Sequence, residues 1–376
     1  MSRTRGVARL AELLMRGPRG RRLLLEYAVR SEQLHDPEYR EDSLGSGVFL
    51  ASYHLDPGKG TSVVLFGPGA AEAEMQEVTP KEISRRLAST PLAEATPQLL
   101  RDCLVEAVGS ARYWQEPDGH DVLAASSELQ APLRRVADHV AASAHAGWWS
   151  EPMEERSQWQ VGWDGESAHT ISPDPPKLLR QAHAAALDEE LRAQRERPAD
   201  PTARWSGDWW SHPPRELPSS TRALFDGSPA GLWFVEDDLG WEQAQARGMS
   251  MPAGLRICEI DTADAWADLC LRFPFEVTAG KRHDWYRTTG RAGAWVLPDW
   301  ARVAEEYDAV QLQALAYLSA AGTAIPVDER RSSVIAGWNP DQTFWFTPRV
   351  RYADESVSWA LQDRGERGIW TSESRR

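Results

Sequence analysis

The chain has 376 residues, of which 41% are hydrophobic and 26% charged, and its formal net charge is −14. Its length exceeds what one hydrophobic core serves, about 250–300 residues, so at least two folded domains are expected, and the composition is that of a globular protein. The acidic balance argues against a nucleic-acid backbone as the main partner, and no apolar run approaches the roughly 20 residues that cross a bilayer, which excludes an integral membrane protein.

Residues Ala8–Met15 and Leu23–Val29 have helical spacing, and Gly17, Pro18 and Gly20 are expected to break the chain between them. The arginines of Arg16–Arg22 read as a solvated basic face. In Asp56-Pro57-Gly58-Lys59-Gly60-Thr61 the lysine is not followed directly by Ser or Thr, so a turn rather than a phosphate loop is expected. Ser62–Phe66, bounded by glycines, reads as a strand. Thr79-Pro80-Lys81-Glu82 is a capping box with proline at the first helical position, and Thr96-Pro97 repeats the signal before a wide apolar face through Leu99, Leu100, Cys103, Leu104 and Ala107. Another helix is expected over about Glu128–Ala142.

From 164 to 204 the chain is rich in proline around a polar helical run, Lys177–Arg195, and reads as a linker with one exposed helix. Beyond it, Leu232–Val235, Leu255–Ile260, Ala309–Leu312, Ser333–Ala336 and Thr343–Phe346 read as strands. Thr262 and Asp299 read as helix starts, with Trp266, Leu269, Cys270 and Phe273 on the face of the first helix and Trp300, Val303, Ala304 and Tyr307 on that of the second. No regular βαβ period emerges. The expected fold class is therefore α+β: a mainly helical domain with a short hairpin over 1–163, the linker over 164–204, and a tryptophan-rich mixed α+β domain over 205–376.

The N-terminal segment lacks the apolar middle of a secretory signal. Cys103, Cys258 and Cys270 form no CxxC pair and read as buried thiols in a reducing compartment, so a cytoplasmic protein without a metal site is expected. His139 and His145 fall on different faces of a helix. His212 and His283 stand beside tryptophans and are better placed to line a pocket.

All eighteen tryptophans lie beyond residue 113. The pattern WWSxP occurs twice, at Trp148-Trp149-Ser150-Glu151-Pro152 and Trp209-Trp210-Ser211-His212-Pro213. Two such copies suggest related hairpin-like edges. Consecutive strand residues face opposite ways, so one member of each pair is left to meet a partner or ligand. The cluster Lys281-Arg282-His283-Asp284-Trp285-Tyr286-Arg287 sets basic groups among aromatics, which suits an anion clamp beside a stacking platform.

The run Gly254–Phe346 resembles the element order of ADP-ribosyltransferase domains. The resemblance implies that Arg256, in LRICEI, contacts NAD phosphates and that Asp341 or Gln342, in NPDQTFWF, stands where the family keeps a glutamate; Ser332-Ser333 occupies part of its Ser-Thr-Ser motif. The chain as a whole also resembles a family of uncharacterised actinobacterial proteins, which implies no function. Two expectations follow. The first is an intracellular, non-enzymatic binding or regulatory protein with no cofactor, which meets a protein partner through Trp148, Trp149, Trp209, Trp210 and Trp285. The alternative is an NAD-dependent transferase with Arg256, His283, Arg287 and Asp341 at its site.

Overall fold

Helix-start signals govern the first third of the chain. The computed structural model describes residues 3–38, 40–58, 75–163, 174–238, 240–363 and 368–373; the expected strand Ser62–Phe66 lies outside them. The chain forms two compact units, the first made of Met1–Ala107, Gln115–Trp148 and Leu318–Ala321, the second of Val108–Trp114, Trp149–Tyr317 and Gly322–Arg376.

The first unit is helical: α1 (Arg3–Arg16), α2 (Pro18–His35), α3 (Leu44–Leu55), α4 (Pro80–Ser89), α5 (Pro97–Gly109), α6 (Gly119–Ala125) and α7 (Gln130–Ala142). The Thr79 hydroxyl accepts from the Glu82 N–H at 3.3 Å and the Thr96 hydroxyl from the Leu99 N–H at 3.2 Å, so both expected caps form. Of the expected breakers only Gly17 interrupts the helices, with Pro18 opening α2 and Gly20 inside it. Gly17 has a packing role as well: a Cβ there would lie 2.3 Å from the Leu318 carbonyl oxygen. The Arg16–Arg22 run is not a solvated face. Arg19 and Arg22 are buried; Arg19 donates to the Ala107 carbonyl at 2.9 Å and pairs with Asp121, while Arg22 pairs with Glu26 at 2.8 Å and Asp118 at 3.2 Å. These cations tie α2 to α6 because the helix face that carries them also carries Leu23 and Leu24 inward.

The second unit contains, in chain order, β1 (Gln158–Trp163), α8 (Pro175–Glu196), β2 (Ser219–Arg222), β3 (Gln243–Ser250), β4 (Ile257–Ile260), α9 (Ala263–Arg272), β5 (Pro274–Glu276) and α10 (Thr278–Thr289). There follow β6 (Ala294–Pro298), α11 (Trp300–Glu306), β7 (Ala309–Leu312), α12 (Ala314–Ala320), β8 (Ile325–Pro326), β9 (Arg331–Ser333), β10 (Thr343–Trp345), β11 (Arg351–Asp363) and β12 (Gly368–Glu373). One sheet has the order β12-β11-β3-β1-β2-β10-β7-β4 and the other β5-β6-β9-β8. Both are mixed, with β4 parallel to β7 and β6 parallel to β9, so the protein is α+β. Among the described residues no helix is long and apolar enough to cross a membrane.

Eight of the eighteen tryptophans are buried in this unit: Trp149, Trp233, Trp266, Trp285, Trp295, Trp338, Trp345 and Trp370. Trp338 meets Trp266 at 6.1 Å, Trp300 at 5.9 Å and Phe344 at 5.8 Å, each near perpendicular, the arrangement that ring quadrupoles favour. The helix expected between prolines is α8, and its largely exposed surface has a buried edge of Leu179, Glu190 and Ala193. Leu232–Val235, expected as a strand, instead follows from a 3₁₀ turn at Ala230–Leu232, closed by the Phe234 N–H on the Ala230 carbonyl at 3.1 Å. That turn buries Leu232, Trp233 and Phe234 together, whereas a strand would send Trp233 to the face opposite the other two.

Candidate functional site

Strand register explains where Asp341 lies. Residues paired across strands share a face, and Glu259, Gln311, Thr343 and Ser220 are successive partners across β4, β7, β10 and β2. Arg222 lies two residues beyond Ser220, opposite Gln158. One face of the sheet is thus polar and buried. Asp341 precedes β10 with φ of 64° and accepts from the Arg222 backbone N–H and Nε, both at 2.8 Å, and from Gln311 Nε2 at 3.0 Å. Burial pushes its carboxyl up from the ordinary value while Arg222 opposes. The first WWSxP copy leads into the strap over this face: the Pro152 carbonyl accepts from Arg222 Nη2 at 2.9 Å and the Met153 N–H donates to Glu259 at 3.1 Å.

The four residues of the transferase expectation do not converge. Arg256 is exposed before β4 and pairs with Asp308 at 3.5 Å, at the start of β7; Asp341 bonds to the Leu312 carbonyl at 2.8 Å, at its other end. That separates them by about 13 Å of strand. Arg287 donates to the Trp114 carbonyl at 2.9 Å and the Trp205 carbonyl at 2.8 Å and pairs with Asp284, so it holds polypeptide rather than an anion. His283 is buried on α10, its pKa lowered by burial and then by Arg282.

The two WWSxP copies are not related hairpin edges. The first lies in a 3₁₀ segment, Ala144–Ser150, and the second is irregular chain anchored by the Ser211 N–H and hydroxyl on the Ala336 carbonyl at 2.8 and 3.0 Å. Trp149 and Trp285 are buried, the Trp285 N–H donating to the Trp209 carbonyl at 3.0 Å. Trp148 and Trp209 are half-buried. Of the five binding candidates Trp210 lines a cleft.

That cleft, of about 470 Å³, lies within the second unit, and the size is that of a small-molecule site. Its apolar walls are Leu179, Ala182 and Ala186 of α8, Phe275 and Leu297 of the small sheet, and Trp210 and Trp300. Trp300 is backed by Trp266 and Trp338, which fixes that wall. Trp210 is held by Gly337, where a Cβ would stand 2.2 Å from the indole, and carries the Arg215 guanidinium 3.8 Å from its ring centre.

Charged or histidine side chains make up ten of the 24 lining residues. His183 Nδ1 lies 3.2 Å from Asp299 Oδ1, and Asp299 also caps α11 through the Ala301 N–H at 3.1 Å. His212 stacks on Phe344 at 5.4 Å and accepts at Nε2 from Arg215 at 3.4 Å; burial lowers its pKa to about 4, the Pro213 carbonyl opposing and Arg215 assisting. Lys281 is buried, and its Nζ donates to the Asp208 carbonyl at 2.8 Å with the Asp208 carboxylate 3.6 Å away. Burial lowers the Lys281 pKa, against the pull of Asp208, Asp284 and Glu190. Glu190 accepts from the Ala279 and Gly280 N–H groups, both at 2.7 Å, and so fastens α8 to the start of α10.

No family model, curated protein or solved structure matches this chain. The chemistry of the cleft is therefore read from its own residues. None of those lining it is a serine, threonine or cysteine, so the His183–Asp299 pair has no hydroxyl or thiol among them to activate. Among the described residues no group of three or more His, Cys, Asp or Glu is placed to hold a metal ion. What the cleft offers is a rigid aromatic and aliphatic surface with hydrogen-bonding groups. The sequence pointed to Trp210 and His212 within it and to the cluster that contains Lys281, there read as an anion clamp, whereas α10 buries several of its polar side chains.

Proposed function

We propose that the second unit is a non-enzymatic binding module that takes a small, largely apolar ligand in the cleft between α8, α10, α11 and the 210–216 segment. The single observation behind this reading is the composition of the cleft: apolar walls fixed from behind, with no serine, threonine or cysteine among the lining residues. An NAD-using transferase is not adopted, because Arg256 and Asp341 stand at opposite ends of β7 and Arg287 is engaged by backbone carbonyls. The test is binding of 2-methylnaphthalene, a neutral hydrocarbon of suitable size, followed by ligand-observed NMR. Replacing Ala182 on the half-exposed face of α8 by tryptophan fills the cleft and is expected to abolish binding while the far-UV spectrum stays unchanged. Equal binding by Ala182→Trp and the parent protein sinks the proposal.

A further inference from the structure

An apolar cleft selects poorly unless its polar groups demand something of the ligand, and the buried amine of Lys281 does. The lysine amine carries three donors when protonated and two when neutral. At Lys281 one reaches the Asp208 carbonyl at 2.8 Å, and the nearest carboxylate oxygen, at 3.6 Å, is beyond hydrogen-bonding distance. Donors therefore remain for a ligand oxygen in a place where water is largely excluded and an unmet donor is costly.

Charge decides which kind of oxygen. Asp208, Asp284 and Glu190 all act on this amine. Asp284 is engaged by the Ser206 hydroxyl at 2.8 Å, the Gly207 N–H at 2.9 Å and Arg287, and Glu190 by two backbone N–H groups. The positive charge is matched already. A ligand carboxylate would add another anion, desolvated, beside Asp208 and Glu190, with Asp284 already paired to Arg287, whereas a neutral carbonyl oxygen takes the spare donor at no such cost. We infer that the cleft recognises an uncharged aromatic ligand bearing a carbonyl group, such as an aromatic amide, with Lys281 as the residue that selects the carbonyl.

This inference rests on the cleft being a ligand site, and a matched series separates the two claims. Dissociation constants are measured on the full chain for 2-naphthamide, 2-naphthoate, 2-naphthylmethylamine and 2-methylnaphthalene. The amide is expected to bind about tenfold more tightly than the hydrocarbon, the worth of one hydrogen bond to a charged donor, and more tightly than either ion. In Lys281→Met the amide is expected to fall to the level of the hydrocarbon measured on the same variant, because methionine keeps the side-chain stem and lacks the donor. If the hydrocarbon binds and the amide gains nothing, or the naphthoate or the amine equals the amide, the carbonyl assignment is overturned and the cleft reading stands. If the amide keeps its advantage in Lys281→Met, the role of Lys281 is overturned. If no member of the series binds, both claims fall. The parent-protein series decides the ligand class even where the variant fails to fold.

Discussion

Asp341→Ala should cost the second unit more stability than almost any other single change at a polar site. The carboxylate accepts three hydrogen bonds, two from Arg222 and one from Gln311, and both partners are buried. Breaking a buried ion pair from one side costs about 3–5 kcal/mol, because the surviving charge is left unmatched. Arg222 keeps the Pro152 carbonyl at 2.9 Å and the exposed Glu151 carboxylate at 3.6 Å, which moves the expectation to the lower part of that range. The φ of 64° adds to it: alanine pays about 1 kcal/mol for the left-handed region that glycine enters without strain. The expected order of loss is Asp341→Ala at about 4 kcal/mol, Asp341→Gly at about 3 and Asp341→Asn at about 2, the last keeping an acceptor and a tolerated φ. Urea unfolding followed by tryptophan fluorescence measures this, since all the tryptophans except Trp148 belong to the second unit. A loss below about 1 kcal/mol for Asp341→Ala would refute the view that this pair anchors the polar face. A residue reserved for catalysis would show the opposite pattern, little loss of stability on removal.

Two other outcomes are expected. His212 has a folded pKa of about 4 against an ordinary 6.5, so it stays neutral in the fold and binds its proton more readily in the unfolded chain. The stability it contributes is whole above the ordinary value and is lost as pH falls through that interval to the folded value, a change of about 2–3 kcal/mol. His212→Phe, which keeps the stacking between Trp210 and Phe344, should flatten this part of the acid limb in urea midpoints taken between pH 7.5 and pH 4; an unchanged slope would remove the histidine as its cause. In the first unit, Arg19→Met should cost about 3 kcal/mol, the low end for breaking a buried pair, because Asp121 keeps Arg22 at 3.6 Å. The loss should appear as an earlier fall of ellipticity at 222 nm with little change in tryptophan emission, and simultaneous shifts of equal size in both signals would contradict it.

What was legible in the sequence was local. Thr79, Thr96, Thr262 and Asp299 each announce a helix because a cap is decided within three residues. Ala309–Leu312 and Thr343–Phe346 were legible as strands because β7 and β10 are buried on both faces and read as continuous runs of strand-forming residues. Illegible were β3, β11 and β12, whose polar and small residues carry no strong alternation and whose strand form rests on pairing with each other and β1. α10 was read as a charged cluster because Lys281, His283 and Asp284 are polar and buried, which hides the apolar stripe that marks most helices. The cleft was hidden for another reason. Its walls come from α8, the 210–216 segment, the small sheet, α10 and α11, and no spacing rule links positions more than 100 residues apart, such as Ala182 and Trp300.

The contact of Gly17 with the Leu318 carbonyl has a consequence for synthesis. The first unit receives its last piece, Leu318–Ala321, from a stretch that leaves the ribosome only after β1 through β7 have been made. Until then the groove at Gly17 awaits its occupant, and the helices of this unit have to persist through the making of most of the second without their closing segment. A nascent chain stalled anywhere before Leu318 would lack this stretch of four residues.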